Sequence, residues 1–209
     1  MIYEMRTYTL QPGKVAEFEE RFAQRQPARE KHSKLGAFFH TDFGPLNQVI
    51  HIWPYENLQH RTEVRAAMAS DPELQRTAGG GGAIVQQESE ICIPAPFMRP
   101  LGGDQELGNF YEMRQYTFLP GAMPALLEAW GAAMPQREEF SPLAAGMYTE
   151  LGGLNKWIHI WPYKTMEDRD RVREQSRAAG VWPPQGDFRA SMIKQENKLL
   201  IPAAFSPMH

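Results

Sequence analysis

An α+β fold made of two tandem β-α-β-β-α-β units is what this sequence predicts, and three observations predict it. The first is a duplication. Tyr3–Gly13 (YEMRTYTLQPG) matches Tyr111–Gly121 (YEMRQYTFLPG) at an offset of 108 residues. At that same offset Gly44–Tyr55 (GPLNQVIHIWPY) falls on Gly152–Tyr163 (GGLNKWIHIWPY), and Gln87–Phe97 on Gln195–Phe205, with no net insertion between blocks. The second is the order of hydrophobic periods inside each copy, which switches between two and about 3.6 residues. The third is that one face of the strands of each copy is apolar enough to need a cover, and the other copy is the obvious one.

Each element follows from local chemistry. Ile2–Leu10 alternates and is rich in Tyr and Thr, so it reads as a strand stopped by Pro12-Gly13. Val15, Phe18 and Phe22 recur at helical spacing after that turn, and Met123, Leu126 and Trp130 repeat them. Pro27 and Pro135 are expected to kink or end this helix, or to begin a second turn. Ala37–Phe43 and Gln48–Trp53 read as two strands joined by a Gly-Pro-Leu-Asn turn, Gly-Gly-Leu-Asn in the second copy. Pro54 and Pro162 are expected to end the later strand, since proline cannot extend a central ladder. Glu56–Ala69 reads as a second helix with Leu58, Val64 and Met68 apolar; after the Gly79–Gly82 loop, Ala83–Ile93 is the last strand. The order is ferredoxin-like, with the first and third strands central in a four-stranded antiparallel sheet. Residues 1–97 form the first repeat, 98–109 a Gly- and Pro-containing linker and 110–209 the second repeat. Two such sheets face to face make a barrel, closed within the chain or by pairing of chains.

Bulk properties narrow the function. A net charge of −3 over 209 residues leaves no basic footprint for nucleic acid. Apolar runs are strand-sized, which gives no membrane span, and the N-terminus lacks the pattern of a signal or transit peptide, so the expected location is cytoplasmic. The single cysteine, Cys92, excludes an internal disulfide and reads as core. The glycine run is not followed by Lys-Ser/Thr and is no phosphate loop.

Candidate functional residues come from strand parity. Ile50 and Ile52 suit the helix side, as do Met5 and Thr7. That leaves Glu4, Arg6, Tyr8, Asn47, His51, Trp53 and Tyr55 on the other face, expected to line the barrel interior. The second copy supplies Glu112, Arg114, Tyr116, Asn155, His159, Trp161 and Tyr163. Antiparallel pairing puts Arg6 beside His51 and Glu4 nearer Trp53 and Tyr55; parity adds His40 and Asp42, replaced by Tyr148 and Glu150. Two readings stand: a structural network in which Glu4–Arg6 and Glu112–Arg114 pair, and a ligand pocket with aromatic walls and polar anchors. Beside Arg6, His51 is expected to be held neutral, as a proton acceptor with Asn47 and Arg6 holding an oxyanion; His159 is its counterpart.

The blocks YEMRxYT–PG and LNxxIHIWPY, followed by Arg61-x-x-x-Arg65 on the next helix, resemble the NIPSNAP family across both repeats. The resemblance implies a dimeric α/β-barrel architecture, related to that of antibiotic-biosynthesis monooxygenases, and little about chemistry. The expected function is binding of a small organic molecule in the barrel interior, with cofactor-independent oxygenase or isomerase chemistry as the enzyme reading. The alternative is a non-catalytic interaction or structural barrel with a polar interior. No cofactor is called for. A metal held by His51, His40, Asp42 and Glu4 is disfavoured because the second copy loses a ligand, and haem would rest on architecture alone. The expected partners are a small-molecule ligand and further copies of the chain. Arg61 and Arg65, one helical turn apart and matched by Arg169 and Arg173, read as an anion-binding pair or, in preference, as a solvated, salt-bridged helix face. The repeated Pro-x-Arg-Glu (Pro27, Arg29, Glu30; Pro135, Arg137, Glu138) reads as a helix-ending signal.

Overall fold

The computed structural model describes residues 1–76 and 82–209, so of the Gly79–Gly82 loop only Gly82 lies within the described residues. Repeat one runs β1 (Ile2–Leu10), α1 (Val15–Glu30), β2 (Ala37–Phe43), β3 (Gln48–Tyr55), α2 (Leu58–Ser70), α3 (Pro72–Arg76) and β4 (Ile84–Pro94). Repeat two runs β5 (Phe110–Phe118), α4 (Met123–Arg137), β6 (Ala145–Leu151), β7 (Lys156–Tyr163), α5 (Met166–Ala178), a 3-10 turn (Asp187–Ser191) and β8 (Met192–Pro202). In each repeat the first and third strands are central. β2 then pairs with β8 and β4 with β6, so the described strands close into the barrel β1-β3-β2-β8-β5-β7-β6-β4 within one chain.

Three local expectations change. α1 and α4 run through Pro27 and Pro135 to Glu30 and Arg137 instead of stopping at them. The second helix begins at Leu58, because Asn57 is its cap: the Asn57 side-chain oxygen accepts from the His60 N–H at 2.9 Å. Pro54 does not end its strand; it pairs across from Tyr3, and β3 continues to Tyr55. The Ile52 carbonyl accepts from Gly36, so residue 54, two further on, turns its backbone to that same side, where β2 begins only at Ala37, opposite Ile52. The missing N–H therefore breaks no ladder bond. Pro162 repeats this, with Ala144 donating to Ile160.

Parity divides each strand correctly, yet the two faces are the reverse of the expected ones. Met5, Phe39, Ile50, Ile52 and Cys92 join Met113, Met147, Ile158, Ile160 and Leu200 in one buried cluster drawn from both sheets, and that cluster is the barrel interior. Glu4, Arg6, His51, Trp53 and Tyr55 lie on the outer face, under α1 and α2, where Trp53 and Tyr55 pack with Phe18, Phe38 and Val64. The reason is room. An eight-stranded barrel is just wide enough to be filled by its own side chains, leaving no space to pair or hydrate a charge. Helices laid over the outer face can send long side chains down to meet buried polar groups. Linker residues Met98, Leu101 and Leu107 pack against the interior cluster, and the Leu101 N–H donates to Tyr3 Oη at 3.2 Å.

Candidate functional site

Residues two apart on a strand share a face, so the His-Ile-Trp spacing sets the Trp53 indole beside the His51 imidazole. The Trp53 N–H donates to His51 Nδ1 at 2.6 Å, and Trp161 repeats this on His159 at 2.7 Å. An indole nitrogen only donates, so Nδ1 must offer a lone pair, and the hydrogen of the neutral ring sits on Nε2. Nε2 of both histidines is buried without a hydrogen-bond partner. Burial first, then the Arg6 charge, with Arg29 adding to it, lowers His51 to about 3 against the opposing pull of Glu4. His159 is likewise held well below its ordinary value, chiefly by burial and then by Arg114. Both rings are neutral at physiological pH, as the sequence suggested, but with Nδ1 engaged and Nε2 protonated neither is a proton acceptor. Each is a fixed donor. That also answers the metal and haem readings: a ligating Nε2 needs the lone pair that this tautomer denies it.

The rings are clamped by their neighbours. Phe38 stacks on His51 with centroids 5.6 Å apart and Tyr8 meets it edge-on at 4.8 Å. Trp157 and Tyr116 do the same to His159, at 6.1 Å and 4.9 Å.

Glu4 is fully buried. Its Oε1 accepts from Arg6 at 2.8 Å, Arg61 at 2.6 Å and Ser89 at 2.8 Å. Burial alone would raise this carboxyl, but the Arg61 and Ser89 hydrogen bonds and the charges of Arg6 and Arg61 outweigh it and hold it at about 2. Its Oε2 has no partner. Glu112 is also lowered against burial, by Arg169 at 2.8 Å and the charges of Arg114 and Arg173. The helix arginines do form ion pairs as expected, but with a buried carboxylate instead of on a solvated face, and so tie α2 to β1 and α5 to β5. The Pro-x-Arg-Glu arginines do more than end a helix. Arg29 lies 3.9 Å from the centre of the Trp53 ring and donates to Tyr55 Oη at 3.0 Å; Arg137 lies 4.1 Å from that of Trp161. Among the described residues Arg29 has no carboxylate at ion-pair distance.

Each repeat holds a cavity between sheet and helices. The first, about 280 Å³, has Glu4, Arg6, Tyr8, His51 and Trp53 on its sheet side. Its helix side includes Phe18, Phe22, Arg25 and Arg29 from α1 with Arg65 and Met68 from α2. The second, about 200 Å³, takes Arg114, Tyr116 and His159 from the sheet and is walled by Trp130, Trp182 and Phe188. Sequence reasoning missed these helix and connector walls, whose spacing looked like ordinary core. Other expected members lie elsewhere. Tyr55, Glu112, Trp161 and Tyr163 are buried but do not line the cavities. Asn47 and Asn155 hold turns: each has φ of 58°, and their carbonyls accept from Leu10 and Phe118. Neither lines either of these cavities. His40 pairs with Glu19 of α1 at 2.8 Å, Asp42 is exposed, and no cluster of metal-ligating side chains occurs among the described residues. Cys92 faces the interior, its thiol pushed up to about 12, mainly by burial. No helix among the described residues is long and apolar enough to cross a membrane.

The NIPSNAP family model matches residues 3–99 and again 111–207. Protein NipSnap homolog 3A of Homo sapiens is 34% identical over 218 residues, covering 100% of this chain and 86% of its own. Protein NipSnap homolog of Dictyostelium discoideum is 27% identical over 205 residues, covering 96% and 87%. The solved structure of an anthrone oxidase-like protein superposes with a TM-score of 0.62 over 99% of this chain and 93% of that one, at 11% identity. At that identity the likeness is one of fold, and it shows the tandem barrel to be a recurrent architecture.

Proposed function

The chain belongs to the NIPSNAP family, and from that footing we propose that it binds a small organic molecule in the cavities between sheet and helices, principally that of repeat one. One observation carries this reading. His51 lines a cavity while its Nε2–H is buried with nothing to donate to. An unsatisfied buried donor costs about 1–3 kcal/mol, and a ligand acceptor is the natural way to recover that energy. The barrel interior expected to hold the ligand is filled by apolar side chains instead. Where the bound molecule reacts, the fixed donor suits stabilisation of a developing oxyanion, a step common to cofactor-independent isomerisation and oxygenation through an enolate. The structural-network reading accounts for the Glu4 and Glu112 ties but leaves the two histidine donors unexplained.

The test is a screen of small organic molecules by ligand-observed NMR on the whole chain. Hits are expected to lose binding in His51→Phe and to keep most of it in His159→Phe. Hits that bind both variants as tightly as the wild type would remove the histidines from the site.

A further inference from the structure

Resting on that reading, we infer that the ligand class of the repeat-one cavity is an organic acid with an apolar or aromatic body. Its anionic oxygen accepts from His51 Nε2–H, and Trp53 is the positioning residue that keeps the hydrogen on that nitrogen.

Three features lead there. The Trp53 N–H occupies His51 Nδ1 at 2.6 Å, so the ring meets the cavity as a donor only. A ligand donor, or a metal ion, has no lone pair to meet there. The charge of the walls comes second. Five guanidinium groups (Arg6, Arg21, Arg25, Arg29 and Arg65) line the cavity against one carboxylate, Glu4. Glu4 is already held by Arg6 and Arg61, with Arg65 at 3.9 Å, and Arg21 by Glu17 at 2.8 Å. Arg29 is buried over Trp53, lacks such a carboxylate, and keeps the cavity positive. A cationic ligand is disfavoured by this field, and a neutral carbonyl would use the donor but not the field. The third is the remaining wall: Phe18, Phe22, Met68 and Ile84 offer aromatic and aliphatic surface to the body of the acid. The second cavity presents His159, whose Nδ1 is held by Trp161 in the same way, with four arginines; it is narrowed by Trp130 and Trp182 and takes a slimmer acid.

The experiment uses the full chain with benzoate and 2-naphthoate as probes, each against its primary amide, by calorimetric titration. In parallel the ring nitrogens of His51 are read by 15N NMR in the wild type, Trp53→Phe, Trp161→Phe and His51→Phe. The inference expects the Nε2–H tautomer in the wild type and acids favoured over amides by about tenfold, the worth of one charge-assisted hydrogen bond. In Trp53→Phe the His51 tautomer is released and acid binding weakens about as much. Trp161→Phe leaves His51 and repeat-one binding as they were. Amides that bind as well as acids, or a hydrogen found on Nδ1 of wild-type His51, overturn the inference while leaving a binding cavity in place. Binding of neither acid nor amide at millimolar concentration overturns both. Should Trp53→Phe fold poorly, the wild-type tautomer and the acid-to-amide ratio decide alone.

Discussion

The two repeats carry one floor and two sets of walls. On the sheet side Glu4, Arg6, Tyr8, His51 and Trp53 return as Glu112, Arg114, Tyr116, His159 and Trp161. On the helix side Arg21, Arg25 and Gln26 become Ala129, Ala133 and Met134, and Phe22 becomes Trp130. Even the ring stacked on the histidine changes strand. Phe38 of β2 does this in repeat one, but its counterpart is Gly146, and Trp157 of β7, counterpart of Val49, stacks there instead. The glycine makes the space: a Cβ at Gly146 would lie 3.1 Å from the Trp157 ring. The lesson is that the donor is set by strand chemistry, which is duplicated, whereas cavity size and shape are set by helices and connectors, which have diverged.

Acid should break the comparison most strongly. His51 falls from 6.5 in the unfolded chain to about 3 when folded, and His159 is lowered too. Within that window the unfolded chain takes up a proton that the folded ring refuses. For His51 the stability of neutral burial is therefore complete above pH 6.5 and is lost as pH falls toward 3, at up to about 1.4 kcal/mol per pH unit, and His159 acts in the same direction. Lowering of Glu4 acts in the same direction below pH 4.5. Urea midpoints measured from pH 7 to pH 4 should fall for the wild type and less for His51→Phe or His159→Phe. A flat profile in the wild type would contradict neutral burial.

Glu4→Ala leaves Arg6 and Arg61 facing each other over a buried gap and is expected to cost about 3 kcal/mol. Glu112→Ala should cost less, since Arg114 stands 3.6 Å from Glu112 where Arg6 reaches Glu4 at 2.8 Å. Arg169 at 2.8 Å nearly matches Arg61 at 2.6 Å, and Arg173 at 3.4 Å, against 3.9 Å for Arg65, recovers only part of the difference. Denaturant unfolding of the two variants checks the order. Smaller still, Gly146→Phe should cost about 1–3 kcal/mol by overpacking against Trp157, and adding Trp157→Val should restore much of it. A double-mutant cycle showing no coupling would dissociate the two substitutions.

Much of this was legible in the residues. A constant offset of 108 fixed the duplication, and alternation fixed the register that sets Arg6 across from His51 and Glu4 across from Trp53. Parity sorted Ile50 and Ile52 from His51 and Trp53. It could not say which set faces inward, because that depends on the width of a barrel closed by the distant strands β8 and β6. Helical spacing marked Phe18 and Phe22 as apolar but carried no signal that Arg25 and Arg29 overhang the same cavity. The Trp-to-His hydrogen bond was implicit in His-Ile-Trp, yet its direction matters only once Nδ1 is seen to be the acceptor.

The most direct measurement places a ligand inside or outside the barrel. With methionine methyl groups labelled, titration of 2-naphthoate is followed by NMR. Met68 borders the repeat-one cavity, while Met5 and Met113 lie in the barrel interior. Binding between sheet and helices predicts a shifted Met68 methyl with Met5 and Met113 unmoved; shifts at Met5 and Met113 with Met68 still would contradict it.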